Sequence, residues 1–358
     1  MNTKTVFLTL CIMGASMACS QDLDAQQDET ANEKGEFNVV PYFSYNSTLG
    51  AGFGAVSLYS FHVNKEDEIS PKSTVGVAGI YTTNNTLAAL GFGSFYLDED
   101  KWRVMFGAGY NEYNFQTYFD AQDYRGSFVN YDTKSFLAAI LVRRKIIRKL
   151  YFGLGYIFQD SKTEFENNVQ PEITTTLNTL NFELFRDVRD DVNYPRQGSL
   201  AVLQWRNTPE WLGNNETINV LFANYNQYIG VQGNRDVLAF RFHLKAGLGE
   251  LNFQQQPVLG GIDLRGYSQG KYRGDGIMDI QGEYRWNFEN KLRLSAVGFA
   301  GVGTLYGSDT EDFNWKAYPS VGAGIRWTAL TSNHFNVGID AGFGKDDWGI
   351  YFRFNEAF

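Results

Sequence analysis

From residue 237 to 247 the side chains alternate strictly, with Leu238, Phe240, Phe242, Leu244 and Ala246 set against Ala239, Arg241, His243, Lys245 and Gly247. A period of two marks a β-strand with one greasy and one mostly polar face. A second segment repeats it: Met278, Ile280, Tyr284, Trp286 and Phe288 alternate with Asp279, Gln281, Glu283, Arg285 and Asn287. Water-soluble sandwiches alternate too, so length has to decide. Both segments reach 10 or more residues, whereas soluble strands usually have about 5 or 6 and a tilted membrane strand needs about 9 to 11. Long alternating strands predict a transmembrane β-barrel.

Composition agrees. The chain carries 29 Phe, 21 Tyr and 7 Trp at a mean hydropathy of −0.32, so bulky apolar groups are dispersed among polar ones. That excludes disorder for the bulk of the chain, and no run beyond the N-terminus approaches the roughly 18 apolar residues of a membrane-spanning helix. The net charge of −9 and pI near 5.0 argue against a nucleic-acid partner, which requires a basic face.

Met1 to Lys4 is a short basic start and Thr5 to Ala18 an apolar stretch too short to span a bilayer, the pattern of a signal peptide over residues 1–20. Both cysteines, Cys11 and Cys19, fall in or beside it, so the exported body can form no disulfide and no Cys-ligated metal site. Ser16-Met17-Ala18 before Cys19 resembles a loose lipobox without the usual Leu or Val. Lipidation at Cys19 and ordinary cleavage after Ala18 or Ser20 both remain open. Residues 21–35 are polar and acidic and read as a flexible periplasmic tether, leaving 36–358 for the barrel.

Turn signals place strands near 36–47, 50–62, 73–83, 86–97, 102–118, 132–145, 149–161 and 177–187. Eight more follow near 199–207, 217–229, 236–248, 276–288, 292–306, 317–329, 334–344 and 348–358. The fold class is thus all-β, a 16-stranded antiparallel barrel, the even number a bacterial barrel with both ends in the periplasm demands, at about 20 residues per strand and connection. Connections 145–149, 288–292 and 329–334 are tight, whereas 119–131, 162–176, 208–216, 249–275 and 307–316 are long and belong outside the cell. Periplasmic connections 63–72 and 188–198 are longer than this rule expects.

The longest connection holds Leu259-Gly260-Gly261-Ile262-Asp263-Leu264-Arg265-Gly266-Tyr267, then Gly270-Lys271-Tyr272-Arg273-Gly274-Asp275. Glycines permit tight turns of positive φ, so such a loop can fold back and present Arg265 at its tip. Read alone, this is a solvated arginine beside turn glycines. With its neighbours the segment resembles the barrel of the BamA/TamA outer-membrane assembly superfamily, also called bacterial surface antigens, whose sixth extracellular loop carries a Val/Leu-Arg-Gly-Phe/Tyr tip matched by Leu264 to Tyr267. Asp187-Val188-Arg189-Asp190, Tyr194-Pro195-Arg196-Gln197-Gly198, Glu283-Tyr284-Arg285 and the aromatic terminus Phe358 agree in order and spacing, and the match is best over residues 177–358.

The resemblance implies that the sixth loop enters the lumen and latches Arg265, with Gly266 and Tyr267, against acidic groups on the inner wall. Strand alternation puts Glu283 on that wall, with Asp279 and Asp340 as further inward acids. Two departures stand out. Gly301 occupies a place where many relatives have aspartate, so Glu283 is expected to carry more of the pairing, and residues 21–35 leave no room for the periplasmic POTRA repeats of the assembly factors. Asp347 to Phe354 has the polar-x-Gly-x-x-aromatic-x-aromatic form of an outer-membrane insertion signal, carried by Gly349, Phe352, Phe354 and terminal Phe358, although an outward apolar strand face would read alike.

No cofactor or metal site is expected. His62, His243 and His334 are the three histidines, neither HExxH nor GxSxG occurs, and the acidic loop Ser308 to Asp312 lacks EF-hand spacing. His243 is expected to line the lumen between Arg241 and Lys245. The sequence therefore predicts a bacterial outer-membrane barrel without enzymatic activity. The resemblance implies aid to insertion or translocation of outer-membrane proteins or lipids beside partner proteins, in contact with outer-membrane lipids. The alternative is a passive pore or structural barrel subunit.

Overall fold

A computed structural model describes the chain apart from residues 1–34, 47–49, 120–126, 254, 262, 269, 289–290 and 331–333. The signal peptide with Cys19 and nearly all of the tether lie outside the described residues. No described helix is long and apolar enough to cross a membrane.

Strands β1 (Glu36–Asn46), β2 (Gly50–Phe61), β3 (Ser73–Thr82), β4 (Leu87–Leu97), β5 (Trp102–Phe119), β6 (Ser127–Ile147), β7 (Leu150–Phe165) and β8 (Ile173–Asp187) pair antiparallel in chain order. Next come β9 (Gly198–Thr208), β10 (Ile218–Val231), β11 (Asp236–Gly247), β14 (Gly276–Asn287), β15 (Leu294–Tyr306), β16 (Tyr318–Leu330), β17 (Phe335–Gly344) and β18 (Asp347–Phe354). Between β11 and β14 the two-residue strands β12 (Val258–Leu259) and β13 (Tyr272–Arg273) pair only with each other. The sixteen-stranded sheet is as expected. It curls until β1 and β18 touch, and among the described residues no ladder joins those two.

Alternation makes the sheet inside-out. Phe240, Met278, Ile280 and Trp286 are exposed, whereas Arg241, His243, Lys245, Asp279, Gln281, Glu283 and Arg285 are buried. A soluble sheet would bury the apolar face; exposing it is stable only in lipid.

Four strand ends differ most from the sequence reading. β6 begins at Ser127 and β7 and β8 reach Phe165 and Ile173, because Phe115, Tyr131 and Phe165 pack inward on Phe253 of the long connection and extend the pairing. At the other end β18 stops at Phe354. Asn355 takes φ +59° and donates its N–H to the Asn336 carbonyl at 2.7 Å, turning the last residues onto the buried face. Phe358 therefore packs against Tyr194, Tyr228, Val237 and Ala239 and does not extend the apolar outer face of β18.

Candidate functional site

The long connection closes on itself through β12 and β13 and through the Gly261 N–H, which donates to the Tyr267 carbonyl at 3.1 Å. Gly260, Gly261 and Gly266 all have positive φ, +123°, +64° and +103°, as the sequence reading required. Leu259, Leu264, Tyr267 and Tyr272 bury their side chains against Ile277 of β14, Leu305 of β15 and Tyr318 of β16. This apolar anchor sets Arg265 at the tip.

Arg265 is fully buried. Its Nη1 donates to Asp340 Oδ2 at 2.7 Å and its Nη2 to Glu283 Oε2 at 2.8 Å. The guanidinium carbon lies 3.4 Å from the centroid of the Phe299 ring, so the cation faces a π cloud on one side and two carboxylates at its edge. Ser320 Oγ donates to the Arg265 carbonyl. Glu283 and Asp340, the expected acid and one of its two secondary candidates, each accept one bond from Arg265. Asp279 does not reach Arg265 but serves Arg241, His243 and Gln281 at 3.3, 2.9 and 2.9 Å.

The pair belongs to a larger network that sequence reasoning missed. Arg326 Nη1 donates to Asp340 Oδ1 at 2.5 Å and Arg353 Nε to Asp340 Oδ2 at 2.7 Å. Arg285 Nε donates to Glu283 Oε1 at 2.9 Å, and its Nη2 to the Phe358 carbonyl at 2.8 Å. Glu356 accepts from Arg326 Nε at 3.1 Å and Asn336 Nδ2 at 2.8 Å. The signal was available, since Arg326 and Arg353 fall on inward positions of their strands, and the register of β16, β17 and β18 sets both opposite Gly338, one diagonal step from Asp340.

The tip also grips the last strand. Gly266 N–H donates to Tyr351 Oη at 2.8 Å, and Ser268 donates its N–H and its Oγ to the Asp347 carboxylate at 2.6 and 2.9 Å. Tyr267 Oη donates to the Pro319 carbonyl at 2.6 Å. Backbones approach closely here because β17 offers glycine: a Cβ on Gly344 would stand 2.6 Å from the Gly266 carbonyl oxygen. Gly301 has a similar reason, since a Cβ there would meet Gln281 Cγ at 2.6 Å and Leu264 Cδ1 at 3.2 Å. Gln281, the Ile280 carbonyl oxygen at 2.9 Å and Leu264 together fill the space an aspartate would need. Of the insertion-signal residues, Phe352 is exposed on β18 beside Trp348 and Ile350, Gly349 and Phe354 lie in the same strand, and Phe358 lies elsewhere, as described.

Sixteen antiparallel strands with an apolar outer face and a charged buried face define a bacterial outer-membrane β-barrel. Within that class the chain belongs to the Omp85 superfamily, whose domain matches residues 73–358. Its structure is similar to BamA from Haemophilus ducreyi lacking POTRA domains 1–3, with a TM-score of 0.66 at 14% identity over 90% of this chain and 70% of that one. It is similar to CdiB from Escherichia coli, with a TM-score of 0.66, 14% identity, and 89% and 62% covered, and to CdiB from Acinetobacter baumannii, with 0.59, 15%, and 90% and 60%. The chain thus spans less than two thirds of either CdiB structure, and at these identities the likeness is one of fold. Comparison with curated protein sequences finds no match.

Proposed function

We propose that this barrel aids the insertion or translocation of outer-membrane proteins or lipids, working beside partner proteins and without catalytic turnover. The observation that carries the reading is the seam. β1 and β18 touch without a ladder among the described residues, so two edge strands present backbone N–H and C=O groups to any chain that can add a strand. The loop tip holds one of those edges through Tyr351 and Asp347 of β18. Arg265 serves as a latch that keeps tip and edge together, which is a structural role.

A second observation weighs against a passive pore. The long connection is bonded to β5 through the Gly270 carbonyl, which accepts from Tyr118 N–H at 3.4 Å, and to β16, β17 and β18, which supports reading it as a crossing of the lumen. A steady current needs an open water path, and this loop obstructs one. Depletion of the protein in its host should lower other outer-membrane barrels or surface lipoproteins in a proteome survey, and the purified barrel should conduct only rarely in planar bilayers. An unchanged proteome together with a steady open current would overturn the reading and favour the pore.

A further inference from the structure

β5, β6 and β7 run for 18, 21 and 16 residues, well beyond the 9 to 11 or so that cross a bilayer. The outward face of β6 reads Phe136, Ala138, Ile140 and Val142 between Lys134 and Arg144. At roughly 3.3 Å per residue and a tilt near 45°, that interval spans about 23 Å, close to the apolar band of about 25 Å on membrane barrels. The register of β6 with β5 is unbroken from Trp102↔Arg144 to Phe119↔Ser127, and with β7 from Lys145↔Tyr151 to Tyr131↔Phe165. The even-numbered residues of β6 beyond Lys134 therefore stay on the outward face but stand clear of the lipid.

That outward face hollows into a cleft of about 540 Å³ lined by Asn114, Gln116, Asn130, Asp132, Glu164 and Glu166, with the turn residues Asn84 and Asn85 at its side. Its volume lies in the range of small-molecule sites. Asn84 Nδ2 donates to the Asn114 carbonyl and Asn130 Nδ2 to Glu166 Oε2, both at 2.8 Å. Behind it, Phe115, Tyr131 and Phe165 lock on Phe253, two of them with centroids 5.6 and 5.3 Å from its ring, so the cleft is held in shape before any ligand arrives.

We infer that this cleft is an oligosaccharide-binding site on the outer wall of the barrel. Amides and carboxylates each offer two polar atoms in one plane, which suits the adjacent hydroxyls of a sugar. No Lys or Arg is among the lining residues, and Lys162, which pairs with Glu164 at 2.7 Å, is shared with Glu172 at 3.0 Å; this disfavours phosphate, and the three carboxylates disfavour acidic sugars, leaving uncharged sugars as the matching class. The cleft stands one to three residue pairs above the apolar band, where a sugar could belong either to a glycolipid of the outer leaflet or to a free surface glycan.

The test uses the full-length protein in lipid nanodiscs, titrated with neutral hexasaccharides and, separately, assembled with or without rough-type lipopolysaccharide. Saturable binding should appear and weaken at least tenfold in Asn114→Ala/Gln116→Ala, with heat-modifiable migration unchanged. Asp132→Asn, which keeps the side-chain shape, should weaken it as well. Response to the free hexasaccharides assigns a soluble glycan, and response only to lipopolysaccharide discs assigns the glycolipid. No saturable binding in either arm, or binding that both variants leave intact, overturns the inference.

Discussion

Arg265 and Asp340 should not be equivalent in their cost when removed, and charge counting says which matters more. The buried network holds four guanidinium groups, Arg265, Arg285, Arg326 and Arg353, against three carboxylates, Glu283, Asp340 and Glu356. Arg265→Ala leaves Glu283 still bonded to Arg285, and Asp340 still bonded to Arg326 and Arg353, so no carboxylate is stranded. The loss is two charge-assisted hydrogen bonds, together roughly 3–6 kcal/mol, from which the relief of repulsion among the buried cations is subtracted; the sign of that repulsion change is what separates the two variants. Asp340→Asn instead adds one uncompensated positive charge and removes the carboxylate shared by three arginines, so growing repulsion adds to a stranded-charge cost of about 3–5 kcal/mol. In the double variant the repulsion falls again, so its cost should undercut the sum of the singles by about 1.5–3 kcal/mol. Urea unfolding in detergent, followed by loss of heat-modifiable migration, measures all three. Additivity within about 0.5 kcal/mol, or an Arg265→Ala loss as large as that of Asp340→Asn, would refute the reasoning.

Gly344→Ala should push the tip off β17, because its Cβ would stand 2.6 Å from the Gly266 carbonyl oxygen, and trypsin should then cut at Lys271 or Arg273, which the parent protects. Gly301→Asp should destabilise by about 1–3 kcal/mol through overpacking, and Leu264→Ala should recover part of that loss in the same urea assay. Cysteines at Phe240 and Trp286 should react with a membrane-phase thiol reagent while those at Arg241 and Glu283 should not; the reverse pattern would contradict the assigned faces. In the connection between β2 and β3, bonds from the Ser70 hydroxyl and from the N–H groups of Ser70 and Glu99 hold the Asp67 carboxyl well below the usual carboxylate range. A depressed value stabilises at every pH above the ordinary aspartate range and is lost only as pH falls below it. Hydrogen exchange should thus find the Ser70 and Glu99 amides protected from pH 7 down to about 4, and protected at neither pH in Asp67→Ala.

Strand count, strand faces and the Gly-rich tip were legible in the sequence because each is local. A period of two along Leu238 to Ala246 fixes a face without knowledge of any neighbour, and Gly260, Gly261 and Gly266 declare their positive φ by lacking a Cβ. What Arg265 meets was not local. Asp340 lies 75 residues further along the chain and shares its carboxylate with Arg326 and Arg353 because the register of β17 with β16 and β18 makes the three diagonal neighbours on one face. The same holds for Gly301, which reads in sequence as a missing acid and in the fold as the space that Gln281, Ile280 and Leu264 fill. It holds again for Phe358, drawn inward when Glu356 finds Arg326 and Asn336, and for the outer cleft, made by three strands that outrun the membrane together. Alternation tells a side chain which face it is on; only the curvature and register of the sheet tell it whom it faces.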